Sequence, residues 1–233
     1  MWNDWLTLGR WPGMDSVGRV LLRISLGSSL IFFLSLAWQP YPGSVVIKAM
    51  CILTLALLAF RLLHSRDGTI LGLSLLFSSL GDVFLALNPG ELFIFGLGAF
   101  LIAHFLYIVL FVQSWPRPAP VRRVRLVLVF FVFLYGVFMA DWLLPGLGTL
   151  KAPVMAYLCV ITLMVMAALR ADFSRPWVVI GAALFILSDS LIAVSKFKHA
   201  LAYRDYLVWI SYYVAQYFIG VGFLREKLGP RNS

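Results

Sequence analysis

Eight apolar stretches of roughly twenty residues run along the chain, separated by short segments rich in proline, glycine and charge. The pattern predicts helices over 20–36, 44–63, 69–88, 92–113, 126–144, 153–170, 177–195 and 206–224. Runs of this length suit helices crossing a hydrocarbon core about 30 Å thick, whereas barrel strands need only about ten alternating residues. Stop signals fall where such helices should end: QPYPG before the second run, Asn88-Pro89-Gly90 after the third, SWPRPAPVRRVR after the fourth and Pro145-Gly146 after the fifth. Ser35-Leu36-Ala37 imitates a signal-peptide cleavage site. However, its polar lead is long and its apolar core exceeds the usual h-region of about 7–15 residues, so the first run reads as a retained helix. Residues 1–19 (WNDW, GRWPG) read as an interfacial lead-in, 20–225 as one eight-helix transmembrane domain and 226–233 as a tail.

Composition agrees. The 233 residues are 62% hydrophobic and 12% charged, with a mean hydropathy of +0.93; a soluble domain is about half apolar and about a quarter charged. The fold class is all-α, a polytopic transmembrane bundle. The formal charge of +9 does not point to nucleic acid, because the basic residues sit at segment ends, where topology rules place them. Eight spans sort the 19 lysines and arginines into fourteen on one side and five on the other. The five are Lys48, Lys151, Lys196, Lys198 and Arg204. A positive-inside bias of this size puts both termini in the cytoplasm, and a bacterial inner membrane is the expected location. Cys51 and Cys159 lie inside apolar runs without a CxxC motif, and His64, His104 and His199 are scattered. No metal and no cofactor are expected.

Two carboxylates break the apolar pattern. Asp82 sits in LFSSLGDVFLALN and Asp189 in GAALFILSDSLIAV. An acid at the centre of a spanning helix costs about 2.5–3.5 kcal/mol on insertion scales, so a buried pair is a functional candidate. Asp82 is 13 residues into the third span and Asp189 is 12 into the seventh, which run in the same direction. At 1.5 Å per residue both lie at about 18–20 Å in a core about 30 Å thick. The strings Leu80-Gly81-Asp82 and Leu187-Ser188-Asp189, four helices apart, suggest a four-plus-four parallel repeat with a site at its interface.

Other polar residues gather at that depth, each with a plainer reading. Ser74, Ser78 and Asp82 share one helix face, although serines in membrane helices usually pack or bond back to the i−4 carbonyl. Lys48 pairs with an acid or snorkels to the interface. Tyr157 and Tyr212 face the site or belong to an aromatic belt. Gln216 shares a face with Tyr212, while His104 and Tyr107 lie nearer mid-membrane, where a lone histidine is more often a packing residue. Gly96-x-Gly98 and Gly220-x-Gly222 read as packing glycines and not as phosphate loops.

With these residues in order, the chain resembles the lysoplasmalogenase (YhhN-type) family of membrane proteins. The carriers are Lys48; LGDVFLAL with Asp82; FGLGAFLIAHFLYIV with His104 and Tyr107; APVMAYLCVITLMVMAALR with Tyr157; GAALFILSDS with Ser188 and Asp189; and SYYVAQYFI with Tyr212 and Gln216. Lys48 is followed by Ala49 where many relatives carry proline. The resemblance implies cleavage of the vinyl ether bond of lysoplasmalogens, with Asp82 and Asp189 catalytic. Lys48, His104, Tyr107, Tyr157, Ser188, Tyr212 and Gln216 would contact the substrate. The implied partners are a lysophospholipid substrate and membrane lipids; nothing in the chain specifies an oligomeric state.

The chemistry suits the residues, because vinyl ether hydrolysis needs a proton donor to carbon and an anion that stabilises the resulting cation and activates water. Two carboxylates share comparable work in glycoside hydrolysis. Paired membrane acids also serve proton relays, so a proton-coupled transporter or a lipid-binding protein is the alternative. A lipid sensor whose acids merely lock helices, and a metal-dependent hydrolase using His104, are further readings. The latter's ligand set is thin and unclustered.

Overall fold

A computed structural model describes residues 14–88, 90–116 and 123–229. The lead-in through residue 13, Pro89, the loop 117–122 and the tail from 230 lie outside the described residues. The described chain forms eight long helices, each long and apolar enough to cross a membrane, and no strand. They are α1 (Ser16–Ser35), α2 (Ser44–Leu62), α3 (Arg66–Leu87), α4 (Phe93–Val112), α5 (Arg123–Leu143), α6 (Lys151–Arg170), α7 (Trp177–Phe197) and α8 (Arg204–Leu228). The chain is an all-helical integral membrane protein.

Local chemistry moves several ends beyond the hydropathy limits. The Asp15 side chain accepts the Gly18 N–H at 2.8 Å, and Ser65 does the same for Gly68 at 3.3 Å. An N-cap satisfies donors that the first turn leaves open, so α1 and α3 begin three or four residues before their apolar runs. α8 runs on to Leu228, four residues past the apolar pattern, through a turn held by polar contacts. Lys227 pairs with Asp67 at 2.7 Å, and Glu226 accepts from the Ser174 backbone and hydroxyl at 2.9 and 2.8 Å. Hydropathy alone cuts such a turn away.

Six helices close a ring: α2 packs on α3, α3 on α4, α4 on α6, α6 on α7, α7 on α8, and α8 returns to α2. α1 lies outside against α2, and α5 outside against α6. α8 is the most enclosed helix and α5 the least. Lipid offers little hydrophobic drive between helices, so close approach and polar bonds hold such a bundle. At Gly181, a Cβ would stand 2.8 Å from the Ala215 carbonyl oxygen, which fixes the α7–α8 approach; at Gly81 it would meet the Phe100 ring at 2.6 Å. Gly96 and Gly222 also face neighbouring side chains, whereas Gly98 faces open space and packs on nothing. Polar bonds cross the interfaces: Ser25 to the Cys51 carbonyl at 2.6 Å, Ser79 to the Ala49 carbonyl at 3.1 Å, and Tyr135 to Ser190 at 2.6 Å. Ser74 and Ser78 bond back to Ile70 and Ser74, the plainer of their two readings.

Candidate active site between the two acids

Asp82 lies five residues from the end of α3 and Asp189 eight from the end of α7, both toward the end of the ring that carries the α1–α2 and α7–α8 connections. There the helices part around a cavity of ≈ 490 Å³ lined by residues of α1, α2, α3, α4, α7 and α8. Both aspartates line it, with Lys48, Tyr212, Phe100 and Trp209 among the other walls. The ring thus brings onto one cavity two acids 107 positions apart in the sequence.

Their surroundings differ. Asp82 is 2% exposed. Its Oδ1 lies 3.1 Å from Lys48 Nζ, and its Oδ2 accepts the Tyr212 hydroxyl at 2.6 Å. Behind Tyr212 the network continues: Gln216 Nε2 donates to the Tyr212 oxygen at 3.3 Å, and Tyr107 donates to Gln216 Oε1 at 2.8 Å. Asp82, Tyr212, Gln216 and Tyr107 are all buried, which suits a network whose unpaired groups would be costly. Asp189 is half-buried, accepts a short hydrogen bond from the Tyr157 hydroxyl, and has no cation beside it among the described residues. It also faces a second, smaller cavity of ≈ 60 Å³ between α3, α4, α6 and α7, whose other walls are Tyr157 and apolar side chains such as Leu97, Val154 and Phe197. Asp189 is the polar group at which the two cavities meet.

The YhhN family matches residues 43–223 of this chain. The chain belongs to that family. Similar proteins include the lysoplasmalogenase of Mycobacterium bovis, 32% identical over 227 residues, covering 95% of this chain and 78% of the relative. Lysoplasmalogenase TMEM86B of Rattus norvegicus is 30% identical over 213 residues, 90% and 86% of the two chains. Lysoplasmalogenase TMEM86A of Bos taurus is 30% identical over 179 residues, 73% and 71%. No solved structure matches significantly.

Of the residues singled out in this YhhN-family sequence, the fold brings Lys48, Asp82, Asp189, Tyr157 and Tyr212 onto the cavities. The two tyrosines are buried donors to the acids and not belt residues, and Lys48 is an ion-pair partner and not a snorkelling one. The other four, expected as substrate contacts, line neither cavity. Gln216 and Tyr107 stand behind Tyr212. Ser188 donates to the Val208 carbonyl at 3.2 Å and ties α7 to α8. His104 is fully enclosed, its Nδ1 2.5 Å from the Phe100 carbonyl oxygen, its ring against Tyr157 and Phe185, and its Nε2 without a partner. Among the described residues no group of three or more His, Cys, Asp or Glu could hold a metal ion.

Sequence reasoning missed the cavity mouth, formed by Gln39 and Ser44 near the α1–α2 turn and Ser195, Lys196, Arg204 and Asp205 near the α7–α8 turn. One signal was available. Three of the five cations on the basic-poor side, Lys48, Lys196 and Arg204, line this one cavity.

Proposed function

We propose that the chain is an intramembrane hydrolase that cleaves the vinyl ether bond of lysoplasmalogens to a fatty aldehyde and a glycerophospho-base. The relatives named lysoplasmalogenase support the substrate class. The observation that carries the mechanism is that two acids face one cavity while a single cation, Lys48, is bonded to just one of them.

That asymmetry divides the roles. The charge of Lys48 balances an ionised Asp82, so Asp82 is the base. Asp189 has a phenol for a partner and no counter-charge among the described residues, so Asp189 carries the proton. Asp189 delivers it to the alkene carbon remote from the ether oxygen. The alkene electron pair forms the new C–H bond and the ether oxygen shares the positive charge as an oxocarbenium ion. Water then adds to the carbon bonded to oxygen as Asp82 accepts its proton. The resulting hemiacetal collapses to aldehyde and alcohol, its hydroxyl proton passing to the leaving glycerol oxygen, and a proton returns from Asp82 to Asp189 through solvent. Acid–base help of this kind contributes about 10²–10⁴-fold. Tyr212, with Gln216 and Tyr107 behind it, holds the Asp82 carboxylate, and Tyr157, packed on His104, holds Asp189.

The fourteen-to-five sorting of cations supports cytoplasmic termini, with the site toward the opposite face of a bacterial inner membrane. The recurrence of an outer helix (α1, α5) against the first of three ring helices in each half supports a four-plus-four parallel repeat.

The test is mass spectrometry of purified protein with plasmenyl, alkyl and acyl lysolipids in D₂O. Fatty aldehyde should form from the plasmenyl lipid alone and carry one deuterium on the carbon next to the carbonyl, because the proton goes to carbon. Absence of aldehyde from every lysolipid would end this reading and favour the transporter or lipid-binding alternative.

A further inference from the structure

We infer that Lys196 and Arg204, at the mouth of the larger cavity, hold the phosphodiester of a lysophospholipid headgroup. The inference rests on the hydrolase reading of the same cavity and names the part of the substrate that this reading leaves without a partner.

Three cations line the cavity, and Lys48 is committed to Asp82. Lys196 forms no ion pair among the described residues. Its Nζ rests 4.2 Å from the centroid of the Phe93 ring, itself a wall of the cavity. Phe93 is buried but Lys196 is exposed, and a cation–ring contact at an exposed site gains about 0.5–1 kcal/mol, little enough to yield to an anion. Arg204 donates from Nη1 to Asp205 Oδ1 at 2.7 Å, and its Nε is buried without a hydrogen-bond partner. A guanidinium has five donors in a planar fork that matches a phosphate, so the contact with Asp205 leaves donors free for a ligand. Interfacial lysines and arginines need water or lipid phosphates, and nothing in that need directs them into a cavity wall.

The spacing fits a phospholipid glycerol. Lys196 is seven residues beyond Asp189 on α7, which is two turns along the same face and a rise of about 10 Å. In a lysoplasmalogen the vinyl ether oxygen and the phosphorus are separated by three glycerol carbons and one ester oxygen, a span of the same order once side-chain reach is added. Polarity gives the direction. On one side of Asp189 lies the apolar cavity between α3, α4, α6 and α7, suited to hydrocarbon, and on the other the charged mouth. A substrate with the first carbons of its alkenyl chain at the first and its phosphate in the second brings the vinyl ether to Asp189.

The experiment measures binding without turnover, so that it stands apart from hydrolysis. Affinities of full-length protein in detergent are compared for a non-cleavable 1-O-alkyl lysophosphoethanolamine and for the matching 1-O-alkylglycerol, which lacks the phosphate. In the wild type the phospholipid should bind at least tenfold more tightly. In Lys196→Ala and Arg204→Gln that ratio should fall toward one, and Lys196→Arg should restore most of it. Ratios that stay at the wild-type value in both variants, each checked for an unchanged thermal midpoint, would overturn the assignment whether or not the protein hydrolyses vinyl ethers. So would displacement of the ether lipid by inorganic phosphate at concentrations as low as those of the lipid itself, since the site would then not be one for a lipid headgroup.

Discussion

The two halves of the bundle treat the same local string differently. In the first half, α2 supplies Lys48 to Asp82 on α3; in the second, the corresponding neighbour α6 supplies Tyr157 to Asp189 on α7. Lys48 and Asp82 are 34 positions apart and Tyr157 and Asp189 are 32 apart, so the partner comes from a comparable place in each half. One half gives its acid a cation, a phenol and a buried polar chain behind. The other gives a phenol and an opening to an apolar cavity. In the proposed cycle like carboxylates acquire unlike duties through their neighbours, in the way that paired carboxylates do elsewhere. On the proposed parallel repeat, a shared backbone plan would bring the two acids to one cavity, and the departure from symmetry would let them divide a proton.

The largest effects should come from the acids and from Lys48. Asp82→Asn and Asp189→Asn should each lower kcat for aldehyde release by about a thousandfold, within the range of general acid–base contributions. The halves should separate on stability. Asp189→Asn removes no ion pair, whereas Asp82→Asn strands Lys48 and Lys48→Met strands a carboxylate that is 2% exposed. Breaking a buried pair costs about 3–5 kcal/mol. Lys48 keeps 20% of its side chain exposed, so a loss of about 2 kcal/mol is expected, lower than for a fully enclosed pair. Lys48→Met should also slow turnover about a hundredfold. The double variant Lys48→Met/Asp82→Asn should regain thermal stability and stay inactive. If Asp189→Asn were the less stable of the two single acid variants, the assignment of the charged pair to the first half would fail.

The fold was legible in the sequence because bilayer thickness imposes a length on every apolar run; all eight helices lie within four residues of the hydropathy limits. The acids were legible for the same reason, since a carboxylate has few excuses in hydrocarbon. Their partners were not. A 3.6-residue period puts Tyr212 and Gln216 on one face of α8, but which helix that face meets depends on how the ring closes, and the ring closes through α2 and α8, the first and last of its six helices in sequence. Hence Tyr107, Gln216 and His104 read as wall residues although they stand one layer back. Lys196 and Arg204 read as topology signals because charge at a helix end has a sufficient reason already.

Smaller effects should follow from the phenols. Tyr212 donates to an acid already paired with a cation, and hydrogen bonds to charged groups contribute about 1.5–3 kcal/mol. Tyr157 donates to the acid that carries the proton in the proposed cycle, where a neutral bond contributes about 0.5–1.5 kcal/mol. Tyr212→Phe should therefore cost at least about tenfold in kcat and Tyr157→Phe about twofold to tenfold, with KM for the lysolipid nearly constant in both. Steady-state kinetics on the two variants gives the order directly. A larger loss at Tyr157 would reverse the roles of the acids.

The smallest effect should be found at the exposed carboxylate–cation pair at the far end of α2, which serves as the control for Lys48 and Asp82. Asp15, just before α1, accepts from Arg61 Nε at 3.0 and 3.2 Å and closes the fork with Nη2. The Arg61 guanidinium and the Gly18 N–H hold its carboxyl down at about 2. A carboxyl lowered on folding stabilises the native state above its unfolded value, about 3.9, and that contribution is lost as pH falls through the folded value. Its window is therefore about pH 4 down to 2. Both side chains are more than 40% exposed, so solvent and salt screen the pair. Asp15→Asn keeps a good N-cap and removes the charge. Its thermal midpoint at pH 7 should drop far less than that of Lys48→Met, the difference from wild type should vanish as pH approaches 2, and molar salt should erase it. Lys48→Met should keep its deficit in molar salt, because its pair is enclosed. A salt-sensitive deficit at Lys48 would mean that water reaches Asp82 as freely as it reaches Asp15, and the contrast between the two acids of the cavity would then need another cause.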